Sequence, residues 1–346
     1  MMHKSGKNII ILGAGGLAAG ELIRLLSMHP ETGEIKAISR SQKGKKLYET
    51  HPALRHLNSS SFHGLSILEN IEKEDIIFCA LPHGTSQKYM EDLMAKDPAC
   101  IIDIAADYRL KNEDDYTSVY AEHQNFNLAE KFIYGLPELN STLIKDSKYI
   151  ANPGCFATAA ELLLLPLAKA AMLPDNSSVF AVTGSSGSGI QPKAGTHHPH
   201  RSGNMYAYKL LNHQHEPEIN QLLSEAAGKS VKTRLIPHSG PFVRGIHAST
   251  YFKHESFCNF DSQTLYKDFY ANCPFVSVLD TPVKIKEVAT SNFVHIHVHQ
   301  IKEEVVITLA LDNLCKGAAG QAIQNMNLYM GYDETCGLTH PGAFPC

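Results

Sequence analysis

The feature that most constrains the fold is a glycine-rich turn between an apolar strand and a helix near the start of the chain. The run Asn8–Leu12 is apolar and is typical of a buried parallel strand. The sequence Gly-Ala-Gly-Gly follows it, and Leu17–Ser27 then has a helical pattern. Glycines allow a tight turn and the close approach of a pyrophosphate, and a helix start offers backbone N–H groups. We therefore expect a dinucleotide to bind at Gly13, Gly15, Gly16, Leu17 and Ala18.

Strands and helices continue to alternate after this turn. Apolar strands are predicted at Glu34–Ser39, Asp75–Leu81 and Cys100–Ile104, with a helix at Ser86–Lys96 between the last two. This alternation predicts a parallel sheet with right-handed crossovers. The expected fold class is α/β, with a Rossmann-type doubly wound parallel sheet that carries the glycine-rich turn.

The end of the second strand indicates which dinucleotide is bound. Sites for NAD usually have an Asp or Glu there, which accepts a hydrogen bond from the ribose 2′-hydroxyl. Here Ser39 and Arg40 end the strand, and Lys43, Lys45 and Lys46 follow without a carboxylate. Because an arginine pairs well with a 2′-phosphate, we expect NADPH/NADP+ with Ser39 and Arg40 in its site. A solvated basic loop is the alternative.

The chain changes character near Asn152. A long apolar helix is predicted from Cys155 to about Met172, with Pro166 as a kink or a stop. Closely spaced strands of partly alternating polarity come next, and they predict a mostly antiparallel sheet. These strands are Val179–Thr183, Val231–Ile236, Gly245–Phe252, Phe293–Ile301 and Val305–Leu311.

Two domains are expected from this division. The first is a nucleotide-binding domain at 1–154, joined by the C-terminal segment 316–346, whose helix runs from about Lys316 to Tyr329. The second is an α+β catalytic and dimerisation domain at 155–315.

One of the eight cysteines stands where a helix begins. Asn152-Pro153-Gly154 shape a turn directly before Cys155. The N–H groups and the positive dipole end of a helix start stabilise a thiolate and can hold an oxyanion. A small buried residue is the alternative, and it is the default for the other cysteines. We expect Cys155 to be a nucleophile.

A thiolate nucleophile usually works with a histidine. The segment HQH provides two candidates, His213 and His215, just before a predicted helix start at Pro217. From the sequence alone the two histidines are nearly equal candidates.

Composition excludes several classes of function. The chain has 31 basic and 35 acidic residues, and this near-neutral balance argues against a general nucleic-acid binder. No apolar run is long enough for a membrane span, and Met1–Lys7 lacks the apolar stretch of a signal peptide. Cysteines without a CxxC pair or a secretion signal indicate reduced thiols, so we expect a cytoplasmic protein.

Two histidine-rich segments suggest a metal site, and we interpret neither as one. His295, His297 and His299 alternate along one strand face, which separates the outer two by about 13 Å. One zinc, with bonds near 2 Å, does not bind three such residues. The other segment, 197–200, has no cysteine or carboxylate beside its histidines. We expect no metal, and we expect the strand histidines to line a solvent or subunit surface.

Together these motifs resemble the N-acetyl-γ-glutamyl-phosphate reductase family, a relative of the aspartate-semialdehyde dehydrogenases. The most specific matches are IDIAADYRL at 102–110 and IANPGCFATA at 150–159. The resemblance extends over nearly the whole chain. Its other segments are GAGGLAAGEL (13–22), SRSQKGKKLYETHPAL (39–54), FCALPHGTS (78–86), YGLPELN (134–140), TGSSGSG (183–189), HQHEPEI (213–219), RGI (244–246) and KGAAGQAIQNMNL (316–328).

The resemblance implies a reaction and a role for each motif. The reaction is the NADPH-dependent reduction of N-acetyl-γ-glutamyl phosphate to N-acetylglutamate 5-semialdehyde, a step of arginine biosynthesis. Cys155 then forms a thioester, and the HQH segment supplies the acid/base. Arg109 of ADYRL binds the substrate phosphate, and Pro82 lies in the cofactor site. Ser185 and Ser186 lie in the loop 184–189, which wraps the substrate through backbone N–H groups, with a plain flexible loop as the alternative. A homo-oligomer, dimer or tetramer, is also implied.

The substrate has an alternative. The segment 191–208 is longer than in many members and resembles the branch that reduces carrier-bound 2-aminoadipyl phosphate in lysine biosynthesis. Residues 191–215 contain Lys193, Arg201 and Lys209 but no Asp or Glu. Such a segment can steer an acidic carrier protein, or it can hold one small dianionic acyl phosphate. We expect the free acetylated substrate, with the carrier-linked one as the alternative.

Two other classes of function remain open to test. A Cys–His hydrolase or transferase without a cofactor is one, and the glycine-rich turn and Arg40 argue against it. A non-enzymatic NADP-binding regulator is the other, and the combination of Cys155 with the HQH segment argues against that.

Overall fold

The computed structural model describes residues 6–57, 59–253 and 255–343. The chain forms two compact units. Unit 1 consists of Met1–Pro153 and Ala318–Thr339, and unit 2 of Gly154–Gly317 and His340–Cys346. Within the described ranges, no helix is long and apolar enough to span a membrane.

Unit 1 is built on a parallel sheet. Its strands are β1 (Lys7–Leu12), β2 (Thr32–Ile38), β3 (Ile76–Cys79), β4 (Cys100–Asp103), β5 (Ile133–Tyr134) and β6 (Tyr149–Ala151). In the part of the chain that the structure describes, six strands follow the order β2-β1-β3-β4-β6-β5 and all pair in parallel. The order changes direction between β1 and β3, and the glycine-rich turn leaves β1 at this point. The predicted doubly wound Rossmann-type sheet is confirmed.

Helices alternate with the strands of unit 1 along the chain. They are α1 (Leu17–Met28), α2 (Leu47–Thr50), α3 (Gln87–Ala95), α4 (Glu113–Thr117), α5 (Pro137–Lys145) and α11 (Gly320–Met330). Short 3₁₀ turns occupy Pro52–Leu57, Leu65–Asn70 and Phe126–Lys131. α11 returns from the end of the chain and is almost wholly buried. The amide nitrogen of its buried Asn325 donates to the carbonyl of Gly135 at 2.9 Å and to Oδ1 of Asn152 at 3.1 Å.

Unit 2 is built on a mixed sheet. Its strands are β7 (Asn176–Thr183), β8 (Tyr206–Ala207), β9 (Lys232–Ser239), β10 (Ile246–Lys253), β11 (Val276–Leu279), β12 (Val294–Ile301) and β13 (Glu304–Leu311). The described strands follow the order β11-β12-β13-β10-β7-β9-β8. The β7–β9 and β11–β12 pairs are parallel, and the other pairs are antiparallel. The predicted α+β class with a mostly antiparallel sheet is confirmed, with β8 and β11 as additional strands.

The helices of unit 2 are α6 (Cys155–Lys169), α7 (His198–Arg201), α8 (Glu216–Ala227), α9 (Ser262–Phe269) and α10 (Ile285–Val288). Short 3₁₀ turns occupy Ser185–Ser188, Ala194–Thr196 and Glu255–Asn259, and a π-helical turn occupies Cys315–Ala319. The first helix of this unit, α6, follows Gly154 directly and begins at Cys155. Its residues 156–168 are all buried.

α6 contains Pro166 without stopping at it and ends at Lys169, three residues before the expected end. Proline has no N–H, so the carbonyl four residues earlier, that of Leu162, loses its helical partner. The hydroxyl of Tyr270 donates to this oxygen at 2.6 Å. A side chain from another helix of the same unit thus replaces the missing bond, and the helix continues through the proline.

Candidate active site

The glycine-rich turn of unit 1 has the backbone geometry that the sequence predicts. Gly13 has a φ of +89°, and a Cβ there lies 2.6 Å from the carbonyl oxygen of Ala80, so only glycine fits. Gly16 is the N-cap of α1 and no side chain caps this helix start. A Cβ on Gly16 meets nothing within 4 Å. The turn therefore offers an open cradle with helix N–H groups beside it, and Leu17 and Ala18 are half-buried at its edge.

The other predicted cofactor residues lie at the same edge of the sheet. Leu12 pairs with Ile38 and with Cys79, so the segments that follow β1, β2 and β3 end together. Ser39 is buried, and its Oγ lies 3.5 Å from the Cβ position of Gly15. Arg40 and Pro82 are exposed at the ends of their strands. This arrangement fits a dinucleotide whose phosphates lie on the turn and whose ribose lies near Ser39 and Arg40.

One contact that supports this turn had no signal in the sequence. Nε2 of His51 lies 2.8 Å from the carbonyl oxygen of Ala14. Gly20 leaves room for the ring, because a Cβ there lies 2.7 Å from Nδ1 of His51. His51 therefore holds the middle of the glycine-rich turn from the side of α1.

Arg109 is buried in unit 1, with 5% of its surface exposed. Its Nε donates to the carbonyl oxygen of Asn152 and its Nη2 to that of Ile104, each at 2.8 Å. The guanidinium therefore joins the ADYRL segment to the residue that stands three positions before Cys155 in the sequence. The family resemblance implies that Arg109 binds the substrate phosphate. The structure shows in addition that Arg109 binds these two backbone carbonyls.

Two buried carboxyl groups share one hydroxyl beside Arg109. The Oγ of Ser86 lies 2.9 Å from Oδ2 of Asp103 and 2.8 Å from Oδ2 of Asp107. Burial, and then the charge of Asp107, raise the pKa of Asp103 to about 8. A serine hydroxyl has one hydrogen, so it serves both neighbours when Asp103 is protonated and donates to Oγ. Asp107 also accepts from the N–H groups of Gly84 and Gln87 and holds the start of α3.

Cys155 is the first residue of α6, and its N-cap, Gly154, provides no capping side chain. The thiol is half-buried, whereas Cys79, Cys100 and Cys315 are fully buried. Burial raises the pKa of the Cys79 and Cys100 thiols and keeps them protonated. Cys155 thus combines access with the N–H groups of a helix start, as a thiolate nucleophile requires.

Two neighbours of Cys155 were missed by the sequence analysis. Oε1 of Glu218, a side chain that is 2% exposed, accepts a hydrogen bond from the N–H of Gly154 at 2.8 Å. Gly317, in the π-helical turn, lies so close that an added Cβ stands 2.8 Å from the Cβ of Cys155. Glu218 lies in the HQHEPEI segment (213–219), but the sequence alone does not show that its carboxylate binds the N–H of Gly154.

His213 and His215 are both buried in unit 2, and they differ in position. The ring of His213 packs edge-on against Phe156 at 5.3 Å and against Tyr208 at 5.9 Å. The ring of His215 is farther from Phe156, at 6.4 Å, and lies 4.9 Å from that of His213. Burial, and then the negative charge that Cys155 carries when it is ionised, raise the pKa of Tyr208. Of the two histidines, His213 is therefore the one whose ring packs against Tyr208 and lies closer to Phe156, the residue that follows Cys155.

The predicted substrate loop is held firmly within unit 2. The N–H of Ser185 donates to Phe242 at 2.9 Å, and the N–H of Ser186 donates to Val243 at 3.0 Å. The Ser186 hydroxyl also donates to Val243, at 2.6 Å. The next residue, Arg244, forms two bonds to the buried carboxylate of Asp312, at 2.9 and 2.8 Å. The loop is thus fixed on a turn that presents a paired arginine, which the sequence analysis singled out only as part of RGI.

The described residues contain no group of three or more His, Cys, Asp or Glu side chains arranged to hold a metal ion. His295, His297 and His299 lie along β12 as the alternation predicts, and Nδ1 of His297 lies 3.0 Å from the carbonyl oxygen of Leu279. That contact uses one ring nitrogen of the middle histidine within the sheet.

Models of known protein families match both parts of the chain. Residues 8–147 match the semialdehyde dehydrogenase NAD binding domain, and residues 155–313 match the semialdehyde dehydrogenase dimerisation domain. A protein of Phocaeicola vulgatus named N-acetyl-gamma-glutamyl-phosphate reductase is 39% identical over 340 residues, which cover 96% of this chain and 98% of its own. The chain belongs to the N-acetyl-γ-glutamyl-phosphate reductase family. The resemblance that the motifs indicated is confirmed.

Other members of this family are similarly close. The reductases of the same name from Marinobacter nauticus and Methanosarcina barkeri are 37% and 38% identical over 97% of this chain, and over 99% and 98% of their own lengths. Among solved structures, aspartate semialdehyde dehydrogenase II of Vibrio cholerae complexed with ASA has a TM-score of 0.71 at 15% identity, over 94% of this chain and 99% of that one. At this identity the likeness shows the fold alone.

Proposed function

We propose that the protein reduces N-acetyl-γ-glutamyl phosphate to N-acetylglutamate 5-semialdehyde and phosphate with NADPH, a step of arginine biosynthesis. The observation that carries the proposal is nearly full-length identity of 39% to a reductase of that name, with a cysteine at an uncapped helix start. The predicted acyl-phosphate reductase chemistry requires both a cofactor site and a thiolate, and unit 1 and unit 2 provide one each.

The residues of unit 1 hold the cofactor in this proposal. The glycine-rich turn would bind its phosphates, Arg40 would pair with the 2′-phosphate, and Ser39 and Pro82 would complete the cofactor site. NADPH, when bound, supplies the hydride. The exposed Arg40 and the absence of a carboxylate from the segment 39–46 that follows β2 support NADPH over NADH.

The covalent chemistry takes place at Cys155 of unit 2. The Cys155 thiolate attacks the acyl carbon, the bond to the phosphate oxygen breaks, and a thioester forms. N–H groups at the start of α6 stabilise the negative charge on the acyl oxygen. Arg109 neutralises the leaving phosphate, for which a guanidinium fork is well suited. After reduction the C–S bond breaks, and the aldehyde and the thiolate are released.

A small free substrate is supported by the state of the basic segment. Arg201, one of its three cations, is only 7% exposed and donates to Ser239 and Gly240. Lys209 donates to Gln214 at 2.6 Å. The burial of Arg201 leaves Lys193 and Lys209 as the exposed cations of this segment, and a dianionic acyl phosphate needs only a few positive groups.

The test is an NADP-linked assay of the reverse reaction with N-acetylglutamate semialdehyde and phosphate. We expect efficient turnover, and we expect Lys193→Glu to change kcat/KM by less than about twofold across a salt series because its charge is remote and screened. Reduction of a carrier-linked substrate only, with a steep fall of kcat/KM as salt is added, contradicts the substrate assignment but leaves the cysteine chemistry in place.

We also propose that the chain forms a homo-oligomer through the uncovered face of the unit 2 sheet. Phe180, Tyr251 and Val306 are large apolar side chains exposed on this face, in a region that matches a dimerisation domain. Sedimentation of the protein and of Tyr251→Glu tests this: a dimer or tetramer that the variant disrupts is expected, and a monomeric parent protein contradicts it.

Free thiols at the described cysteines support a cytoplasmic location.

A further inference from the structure

The loop between β3 and α3 lies against the glycine-rich turn of unit 1. The N–H of Ala80 donates to the carbonyl oxygen of Leu12 at 2.8 Å, and a Cβ on Gly13 lies 2.6 Å from the carbonyl oxygen of Ala80. The loop 81–86 continues from this point and contains Pro82. A movement of the loop therefore changes one edge of the predicted cofactor site.

The segment after β4 holds this loop at three points. The buried carboxylate of Asp107 accepts from the N–H of Gly84 at 2.6 Å and from the N–H of Gln87 at 3.1 Å. The N–H of Ala106 also donates to Nδ1 of His83 at 3.1 Å. The loop and the start of α3 are thus fixed by groups that lie behind the cofactor site and not in it.

A count of hydrogens shows that this network needs one extra proton. The Oγ of Ser86 lies within 2.9 Å of Oδ2 of both Asp103 and Asp107, but the hydroxyl has one hydrogen to donate. Asp107 already accepts two backbone N–H bonds, which favour its anion, whereas Asp103 accepts one, from Ala105 at 3.1 Å. The proton therefore belongs on Oδ2 of Asp103, which donates to Oγ while Oγ donates to Asp107.

The environment of the pair favours the same arrangement. Asp103 and Asp107 are both fully buried. Burial, and then the negative charge of Asp107, raise the pKa of Asp103 to about 8. The positive charge of Arg109 acts in the opposite direction and is the smaller effect.

The other ionisable groups that face the pair carry no charge near neutral pH. Burial raises the pKa of the Cys79 thiol on β3 and of the Tyr108 and Tyr116 phenols, and it lowers the pKa of His123. The partner of Asp103 on β6 is Ala151, and α11, which packs against β4, has no charged side chain. The charged side chains of α3 and α4 are exposed: Lys88, Glu91, Asp92, Glu113, Asp114 and Asp115.

We propose that Asp103, when protonated, is a positioning residue for the cofactor site: through Ser86 and Asp107 it fixes the loop 81–86, so that NADPH binds more tightly before Asp103 ionises than after. Ionisation removes the O–H that donates to Oγ of Ser86 and leaves two carboxylates around one hydroxyl hydrogen. Their repulsion loosens the start of α3 and the loop that lies against the glycine-rich turn. The inference rests on the cofactor part of the proposed function and needs no catalytic step.

The first test measures the affinity of the full-length protein for NADPH across pH, by the change in NADPH fluorescence on binding. We expect the Kd of the parent protein to rise by about five- to tenfold as pH increases through about 8, since a buried hydrogen bond to a charged group is lost. Asp103→Asn has an N–H in place of the O–H and does not ionise, so its Kd stays near the low-pH value of the parent protein. Asp103→Ala has no donor and binds weakly at every pH.

Asp92→Asn is the matched control, because it removes an exposed carboxylate of α3 and leaves the network intact. It is expected to keep the pH profile of the parent protein. Parallel profiles of Kd in the parent protein and Asp103→Asn overturn the proposal, and so does an Asp103→Ala variant that binds as tightly as Asp103→Asn.

The second test detects the proton itself and uses no cofactor. Infrared spectra of the parent protein are expected to show the C=O band of a protonated carboxyl group near neutral pH, and the band is expected to disappear with a midpoint near pH 8. Asp103→Asn assigns the band by its loss, and Ser86→Ala assigns it independently by a shift of the midpoint. A parent protein without this band near neutral pH overturns the proposal.

The outcomes separate this proposal from the proposed function. A parent protein that binds NADPH with the expected pH profile but does not reduce the acyl phosphate contradicts the proposed function alone. Tight binding that does not change with pH contradicts the role of Asp103 alone. A parent protein that binds no NADPH at any pH contradicts both.

Discussion

Removal of the Glu218 carboxylate tests how the nucleophile is positioned. This side chain lies on the first turn of α8, is 2% exposed, and accepts from the N–H of Gly154 at 2.8 Å. Gly154 is the N-cap of α6, and Cys155 is the next residue. Glu218 thus holds the backbone directly before the thiol. We expect Glu218→Ala to release this turn while the helix itself remains.

The size of the effect follows from that one contact. A buried hydrogen bond to a charged acceptor contributes about 1.5–3 kcal/mol, so the unfolding free energy of Glu218→Ala falls by about this amount. A misplacement of about 1 Å at a reacting atom lowers the rate by about 10²-fold, and we expect a kcat loss of this order. Glu218→Gln keeps a carbonyl oxygen for the Gly154 N–H, so its kcat stays within about tenfold of the parent.

Glu216 is the matched control for this experiment. It lies on the same first turn of α8 and is 6% exposed, but it pairs with Arg234 at 2.7 Å and accepts from the N–H of Leu235 at 3.0 Å. Glu216→Ala therefore loses similar stability without touching the turn before Cys155. Urea unfolding and kcat are measured for all variants. Equal kcat losses in Glu216→Ala and Glu218→Ala, or full activity in Glu218→Ala, refute the positioning argument.

Four further predictions follow from the two units. Cys155→Ser abolishes reduction but still binds NADPH by fluorescence, and normal turnover contradicts the nucleophile. Arg40→Asp reverses the NADPH preference in kcat/KM ratios, and equal use of NADH by the parent protein contradicts the 2′-phosphate contact. Gly317→Ala lowers kcat by about 10²-fold because its Cβ, 2.8 Å from that of Cys155, displaces the thiol; unchanged kcat contradicts this. Burial raises the pKa of Asp103 to about 8, so the folded state holds a proton that the unfolded state loses above about pH 4. The free energy of unfolding of the parent protein therefore falls as pH rises from about 4 to about 8. Urea unfolding of Asp103→Asn is expected to lack this fall. A variant profile parallel to that of the parent protein contradicts the protonated carboxyl.

The elements that the sequence predicted well have local signals. The glycine-rich turn is written as a strand, a tight turn and a helix within a few residues, and Gly13 then adopts its φ of +89°. Cys155 is recognisable because the turn residues Asn152-Pro153-Gly154 stand directly before an apolar helical pattern. The strands of the unit 2 sheet alternate in polarity because one face is buried, and that period is visible without the fold.

The features that were missed depend on contacts between distant segments. Glu218 meets Gly154 across 64 residues, and Arg244 meets Asp312 across 68. Pro166 predicts a kink or a stop, and only the fold shows that the Tyr270 hydroxyl donates to the carbonyl oxygen left without a helical partner. The short strand β8 has too few residues for a period to be visible. The choice between His213 and His215 likewise needs ring positions, because both histidines have the same sequence context.

The contacts of Glu218 and Gly317 share one physical cause at the start of α6. A helix normally gains stability from a Ser, Thr, Asp or Asn cap, whose oxygen occupies N–H groups of the first turn. A nucleophilic thiolate at that position needs those same N–H groups, and Gly154 leaves them uncapped. The lost stability and order must then come from elsewhere in the unit. Glu218 holds the N–H of Gly154, which precedes the catalytic turn and is not needed by the thiolate, and Gly317 allows the π-helical turn to pack directly on Cys155. Local capping and catalysis compete for the same donors, so the support for this helix start has to be non-local, and a reading of adjacent residues does not find it.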